Sequence, residues 1–234
     1  MGGGIDAVIF DWGGTLTPFH LVDLLEIWRG VARAALPGDA GAEAVEHTAL
    51  ALHRADSAIW NRAYTECTSA DLEEIFGSAG VALNRAALDS VHDQWLPHTY
   101  TDPEAHAMLA ALRGRGLKVG VLSNTVWPRS WHRSWFERDG VLDLIDGDVY
   151  SSEIAWTKPH PEAFAAAMSA VGAERPERCV FVGDQLLADV HGAKAAGMRA
   201  VFVPYSSGMP VSETAPDAVI RSLAELPSVV EGWM

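Results

Sequence analysis

The sequence predicts an α/β protein whose parallel-sheet core carries an all-helical segment inserted after the first strand. Three observations lead there. Short apolar runs at 5–10, 117–122 and 179–182 read as strands buried on both faces. From Asp102 onward such runs alternate with helical patterns, as βαβ crossovers require. Residues 20–100 show helical periodicity and no convincing strand.

The elements follow in order. The first strand ends at Asp11, followed by Gly13, Gly14 and Thr15, so a carboxylate sits where strand becomes loop. Between His20 and Leu36, the residues Leu21, Leu24, Leu25, Trp28, Val31 and Ala35 fall at three- and four-residue spacing, and Pro37-Gly38 stops that helix. A second helix is expected over 41–64, and a third opens on a Thr68-x-x-Asp71 capping box. Asn84 caps a fourth that reaches Trp95 before Pro97. Asp102-Pro103 begins the next helix, closed by Gly114 and Gly116. The strand at 117–122 ends in Ser123-Asn124-Thr125, a Trp-rich helical segment follows, and a short strand is expected near Val149. Thr157-Lys158-Pro159 precedes a helix started by Pro161 that runs to Val171. The strand at 179–182 ends in Gly183-Asp184, a helix spans 186–196, a strand spans 199–203, and 218–220 forms a last edge strand.

Composition bounds the function. The net charge of -14 is spread without long acidic runs, which argues against nucleic acid or an anionic membrane as partner. Cys67 and Cys179 lie far apart with no metal-binding spacing. The opening MGGGID lacks the basic region and apolar run of a signal peptide, and Asp6 stands where a myristoylation signal has Ser or Thr. A reducing cytoplasm is the expected setting.

Chemistry gathers at strand ends. Right-handed crossovers place the C-terminal ends of parallel strands on one edge, so Asp11, Ser123, Asn124 and Asp184 should converge. Lys158 can supply a cation to a phosphate or a carboxylate cluster. Asp184 and Asp189, five residues apart, can hold a hard cation and orient a neighbour, and oxygen ligands of this kind suit Mg2+.

FDxxGT, LSNT, KPxP and VGDxxxxD occur in this order, each at the expected strand end. Together they resemble the motifs of the haloacid dehalogenase (HAD) superfamily over essentially the whole chain. The resemblance implies a Rossmann-like HAD core at 1–19 and 101–234, with 20–100 as the helical cap of one HAD subclass. It implies that Asp11 is a nucleophile forming an aspartyl-phosphate, with Mg2+ held by Asp11, Asp184 and the backbone carbonyl of Gly13. It further implies that Thr15, Ser123, Asn124 and Lys158 bind the phosphate of a small phosphorylated or otherwise anionic substrate, that Lys158 also offsets developing charge, and that Asp189 acts behind the ligands.

One position departs from the family pattern, whose first motif is Asp-x-Asp-Gly-Thr: the second Asp is Gly13. In the family that Asp protonates the leaving alkoxide, help of a kind that contributes roughly 10²–10⁴-fold. A Mg2+-dependent phosphatase favouring good leaving groups is the leading expectation. The alternatives are dehalogenase-type hydrolysis and a degenerate domain that binds a phosphorylated ligand without turnover. Phosphonatase chemistry needs a cap lysine, whereas Lys118, Lys158 and Lys194 all lie outside 20–100. His20, His47 and His53 are candidate substitute acids, and Arg29, Arg33, Arg54 and Arg62 are candidate grips for a substrate anion. Trp127, Trp131 and Trp135 recur every four residues, which puts them on one helix face. Core packing or a subunit interface, as in a homodimer, explains such a stripe; in the sharper reading Trp12 and Trp127 wall an apolar pocket.

Overall fold

The first apolar run becomes the centre of the sheet. In the computed structural model, which describes residues 4–205 and 211–234, β1 (Ala7–Phe10) is buried along its whole length. It pairs in parallel with β2 (Lys118–Ser123) on one side and with β4 (Cys179–Gly183) on the other. With β3 (Gly147–Tyr150), β5 (Arg199–Phe202) and β6 (Ala218–Val219) the order is β3-β2-β1-β4-β5-β6, parallel throughout. Side chains alternate across the sheet. Val8 and Phe10 face a core lined by α5 (Ala105–Gly114), α6 (Arg129–Arg138) and α9 (Leu226–Glu231). Ala7 and Ile9 face the opposite core, built by α7 (Pro161–Ala170) and α8 (Gly192–Ala195). Both faces are covered, which is why the strand reads as an unbroken apolar run. The chain leaves β1 for β2 and later returns to β4 on its other side, and this reversal opens a crevice beyond the carboxyl ends.

Between β1 and β2 lie α1 (Leu24–Ala35), α2 (Ala42–Glu66), α3 (Leu72–Ala79) and α4 (Arg85–Trp95). They gather around Trp28, Val31, Leu52, Ile59, Ile75, Phe76 and Val91, joined by Val126 from the loop after β2. Asn84 caps α4 as expected, accepting from the Ala87 N–H at 2.8 Å. Three boundaries differ from expectation. The first helix starts at Leu24 because Asp23 caps it by accepting from Glu26 N–H, leaving Leu21 exposed. The third is capped by Asp71 rather than Thr68; the Asp71 carboxylate accepts from Glu74 N–H, while Thr68 bridges Trp156. The fifth starts at Ala105, since the Asp102 carboxylate turns the chain by accepting from Glu104 N–H. The terminal helix α9, which buries Leu226, Pro227 and Val230, was not expected from the pattern.

The tryptophan repeat divides its work. Helix α6 begins at Arg129, so Trp127 precedes it. Trp135 is buried and stacks on Trp12 at 5.5 Å, while Trp127 meets Trp12 edge-on at 5.7 Å. The stripe is used inside the protein and supplies no argument for a homodimer. At its centre His132 is fully buried, stacked on Tyr150 at 4.3 Å and set against Trp12 at 4.6 Å. Burial pushes its imidazole from 6.5 down to about 3, so it is neutral in the fold. The unfolded chain therefore takes up this proton first, and stability is lost as pH falls below 6.5 toward 3. Between pH 7.5 and 5 the expected loss from this residue is about 2 kcal/mol. Urea unfolding at both pH values should show the wild type losing that much more than His132→Phe; equal losses would refute the assignment.

Candidate active site

Three strand ends deliver the site, and backbone hydrogen bonds hold each in place. Asp11 follows β1 with its N–H donated to Val182 carbonyl at 2.9 Å, and its side chain is buried. The Trp12 carbonyl then accepts from the N–H groups of Thr15, Leu16 and Thr17, which curls the loop over the sheet edge. Gly14 is required there. Its φ is +81°, and a Cβ would lie 2.2 Å from Asp184 Oδ2, so a side chain would strike the neighbouring carboxylate. Gly13 is under no such constraint, since nothing lies within 4 Å of a Cβ built on it.

Lys158 closes the cluster. Its Nζ donates to Asp11 Oδ1 at 2.6 Å and to Asp189 Oδ1 at 2.7 Å, with all three side chains buried. The ammonium also lies over the Phe181 ring at 5.2 Å. Burial works against its charge, but Asp11 and Asp189 outweigh burial and hold the lysine above its ordinary value. Burial, assisted by the Asp11 charge, pushes the Asp189 carboxyl up to about 6 against the pull of Lys158. Asn124 fixes the lysine's backbone by a reciprocal pair: its Oδ1 accepts from Lys158 N–H at 2.8 Å and its Nδ2 donates to Lys158 carbonyl at 3.0 Å. Asp189 reaches inward from a π-helical turn, Leu186–His191, where an α-helix was expected, and its Oδ2 accepts from Gln185 N–H at 2.9 Å.

Carboxylate oxygens of Asp11, Asp184 and Asp189 lie within 4.8 Å of one another. Three buried carboxylates facing one ammonium leave an excess of negative charge, and their hard oxygen atoms fit a divalent cation. Asp189 spends one oxygen on Lys158 and the other on the Gln185 N–H, and Asp11 shares the same ammonium through Oδ1. Thr15 is fully buried and directs its hydroxyl to Asp184 Oδ1 at 3.5 Å; it does not line the cavity above.

That cavity has a volume of about 460 Å³ and is walled by both the sheet edge and the helical insert. Asp11, Gly13, Ser123, Asn124, Lys158 and Gln185 form its polar floor. Trp12 and Trp127 wall it, together with Phe19, Trp28, Trp60 and Trp95. His20, His47 and His53 do not line it, and neither do Arg29, Arg33, Arg54 or Arg62. The arginines are exposed or turn to acids of the insert: Arg29 to Glu46 and Glu26, Arg33 to Glu26, Arg62 to Glu74. Asp56, Ser57 and Tyr64 of α2 line it instead. Tyr64 shares the cavity lining with Asp11, and burial together with the charges of Asp11, Asp184 and Asp189 raises its phenol. The end of α2 is held there through Thr157, whose N–H donates to Cys67 carbonyl at 2.9 Å and whose hydroxyl donates to Ala63 carbonyl at 3.2 Å. Sequence reasoning missed Asp56. The available signal was its position among Ala49, Leu52, Ile59 and Ala63 on the buried face of α2, where an acid needs a reason.

A lysine-bridged carboxylate cluster thus sits at the switch point of a parallel α/β sheet, where such sheets bind ligands. The chain belongs to the haloacid dehalogenase-like hydrolase family, whose model matches residues 5–197. It is 37% identical over 131 residues to a phosphatase of Mycobacterium tuberculosis, covering 56% of each chain. It is 36% identical over 124 residues to phosphoserine phosphatase of Thermus thermophilus, covering 53% of this chain and 49% of that one. The chain thus spans about half the length of the curated relatives it matches. Among solved structures, a HAD phosphatase from Thermococcus onnurineus superposes with a TM-score of 0.67 at 25% identity, covering 97% of this chain and 99% of that one. L-2-haloacid dehalogenase from Xanthobacter autotrophicus shares the fold, with a TM-score of 0.65 at 22% identity over 97% and 99% of the two chains. Among the described residues no helix is long and apolar enough to cross a membrane.

Proposed function

We propose that this protein is a Mg2+-dependent phosphomonoester hydrolase acting on a small phosphorylated substrate, with Asp11 as nucleophile. The carrying observation is the buried cluster in which Lys158 bridges Asp11 and Asp189 while Asp184 stands within reach of both. An Asp11 oxygen attacks phosphorus as the P–O bond to the leaving group breaks, giving an aspartyl-phosphate and an oxyanion that takes its proton from solvent; water then attacks phosphorus, giving a proton to solvent as the bond to Asp11 breaks, which releases phosphate and restores Asp11. Asp11, Asp184 and the Gly13 carbonyl are assigned to hold the metal. Mg2+ bound there would add positive charge beside the transferring phosphoryl oxygens. Lys158 offsets developing charge, Asp189 and Asn124 position Lys158, and Ser123 binds phosphoryl oxygen. Thr15 is assigned to hold Asp184 rather than phosphate, because its hydroxyl faces that carboxylate from below. Residues 20–100 act as the cap, and residues 1–19 and 101–234 as the core, of which 1–3 and 206–210 lie outside the described residues. The cytoplasm, where Cys67 and Cys179 stay free thiols, is the proposed setting.

Aryl and alkyl phosphate esters assayed with Mg2+ test this reading. Phosphate release should fall to background with chelator and return with added Mg2+, and Asp184→Ala should lower it on the order of 10²-fold or more, since even residues behind a ligand matter at 10–100-fold. Turnover indifferent to chelator, or metal-independent halide release from 2-haloacids, would overturn the assignment.

A further inference from the structure

The insert's contribution to the cavity is chemically one-sided. Asp56 is 5% exposed, lines the cavity, and accepts from Trp28 Nε1 at 3.2 Å through Oδ2. It has no ion-pair partner among the described residues; His53 is the basic group nearest in effect. The same cavity is lined by Phe19, Trp28, Trp60, Tyr64, Trp95 and Trp127. Arg29, Arg33 and Arg62 of the insert are turned to Glu26, Glu46 and Glu74, and none of them lines the cavity. Among the described residues Lys158 is the single cation in the lining, and Asp11 and Asp189 already engage it. Such a wall disfavours a carboxylate on the substrate's leaving group: it would face Asp56 and aromatic π-density with no compensating charge. An ammonium meets the opposite conditions, a buried carboxylate with no ion-pair partner among the described residues in a cavity lined by aromatic side chains, which attract cations.

We propose that the cavity selects a phosphoester whose leaving group is an apolar or aromatic alcohol bearing an ammonium, with Asp56 as the ammonium's counter-ion. This rests on the phosphatase reading for the reacting end and goes beyond it in naming the leaving group's chemistry. Burial raises the Asp56 carboxyl despite the hydrogen bonds from Trp28 and Trp60 and the nearby His53, the condition an incoming cation relieves.

Binding separates this inference from the catalytic one. Tyramine, 4-propylphenol and 3-(4-hydroxyphenyl)propanoate share one ring and differ in a terminal ammonium, methyl or carboxylate. Calorimetry on the whole chain should show tyramine bound at least about tenfold tighter than 4-propylphenol, and the carboxylate weakest. Asp56→Asn keeps an acceptor for Trp28 while removing the charge. It should bring tyramine to within about threefold of 4-propylphenol and leave 4-propylphenol unchanged, whereas Asp56→Glu should retain the preference. Thermal melts confirm that each variant is folded. Equal binding of tyramine and 4-propylphenol by the wild type, no binding of any of the three, or a parallel loss of all three in Asp56→Asn would overturn the proposal. The phosphate esters of the three phenols complete the test. Selective binding with no phosphate release would sink the phosphatase reading alone; release without selectivity would sink this one alone.

Discussion

Asp11→Asn is expected to lower phosphate release by at least about 10³-fold, whichever ester is the best substrate. An amide oxygen is uncharged and far less nucleophilic, so no aspartyl-phosphate forms. The fold should survive the change. Lys158 keeps Asp189 as its partner at 2.7 Å, and the amide oxygen can still accept from the ammonium. Removing one of three carboxylates gathered within 4.8 Å also relieves repulsion among like charges, so the variant should melt no lower than the wild type without added metal. Measurement of phosphate release together with thermal melts separates the two effects. Substantial release by a folded Asp11→Asn protein would mean that the nucleophile is something else.

The second large effect is a gain. Gly13→Asp should raise turnover of alkyl phosphates by roughly 10²-fold, the lower end of what a positioned general acid contributes, and should change aryl phosphates little. The geometry permits the residue. A Cβ at position 13 meets nothing within 4 Å, whereas at position 14 the positive φ and the 2.2 Å approach to Asp184 forbid any side chain. A side chain at position 13 therefore has room beside the cavity that Gly13 lines. Phenoxide leaves without a proton and alkoxide does not, so the two ester classes should diverge. Turnover plotted against leaving-group pKa should become shallower in the variant. An unchanged slope would show that the site's reaction has no use for an acid at this position.

Much of this was legible in the chain. Strand runs such as Ala7–Phe10 are apolar at every position because both faces of the sheet are covered, and that pattern survives any detail of packing. Asp11, Ser123, Asn124 and Asp184 could be placed on one edge because parallel strands leave no other choice. Local chemistry misled where two caps competed. Thr68-x-x-Asp71 looks like a capping box, yet Thr68 is drawn to Trp156 on the loop before Lys158, and Asp71 caps alone. The pattern predicts a helix over 186–196 and is silent about the π-helical turn at Leu186–His191, since an extra residue in a turn leaves no mark on periodicity.

By itself the sequence determined the layered α/β architecture, the family motifs, and the glycine at position 13. Those are matters of residue type and order along one chain. The direction of side chains was decided only by tertiary structure. Arg29 and Arg62 lie on helices whose periodicity is silent about which neighbour brings an acid, and the packing of α1 on α2 and α2 on α3 supplies Glu46 and Glu74. Asp56 acquires its place in the cavity only when α2 folds back over the carboxyl ends of the strands, because a buried acid's surroundings come from elements distant in sequence.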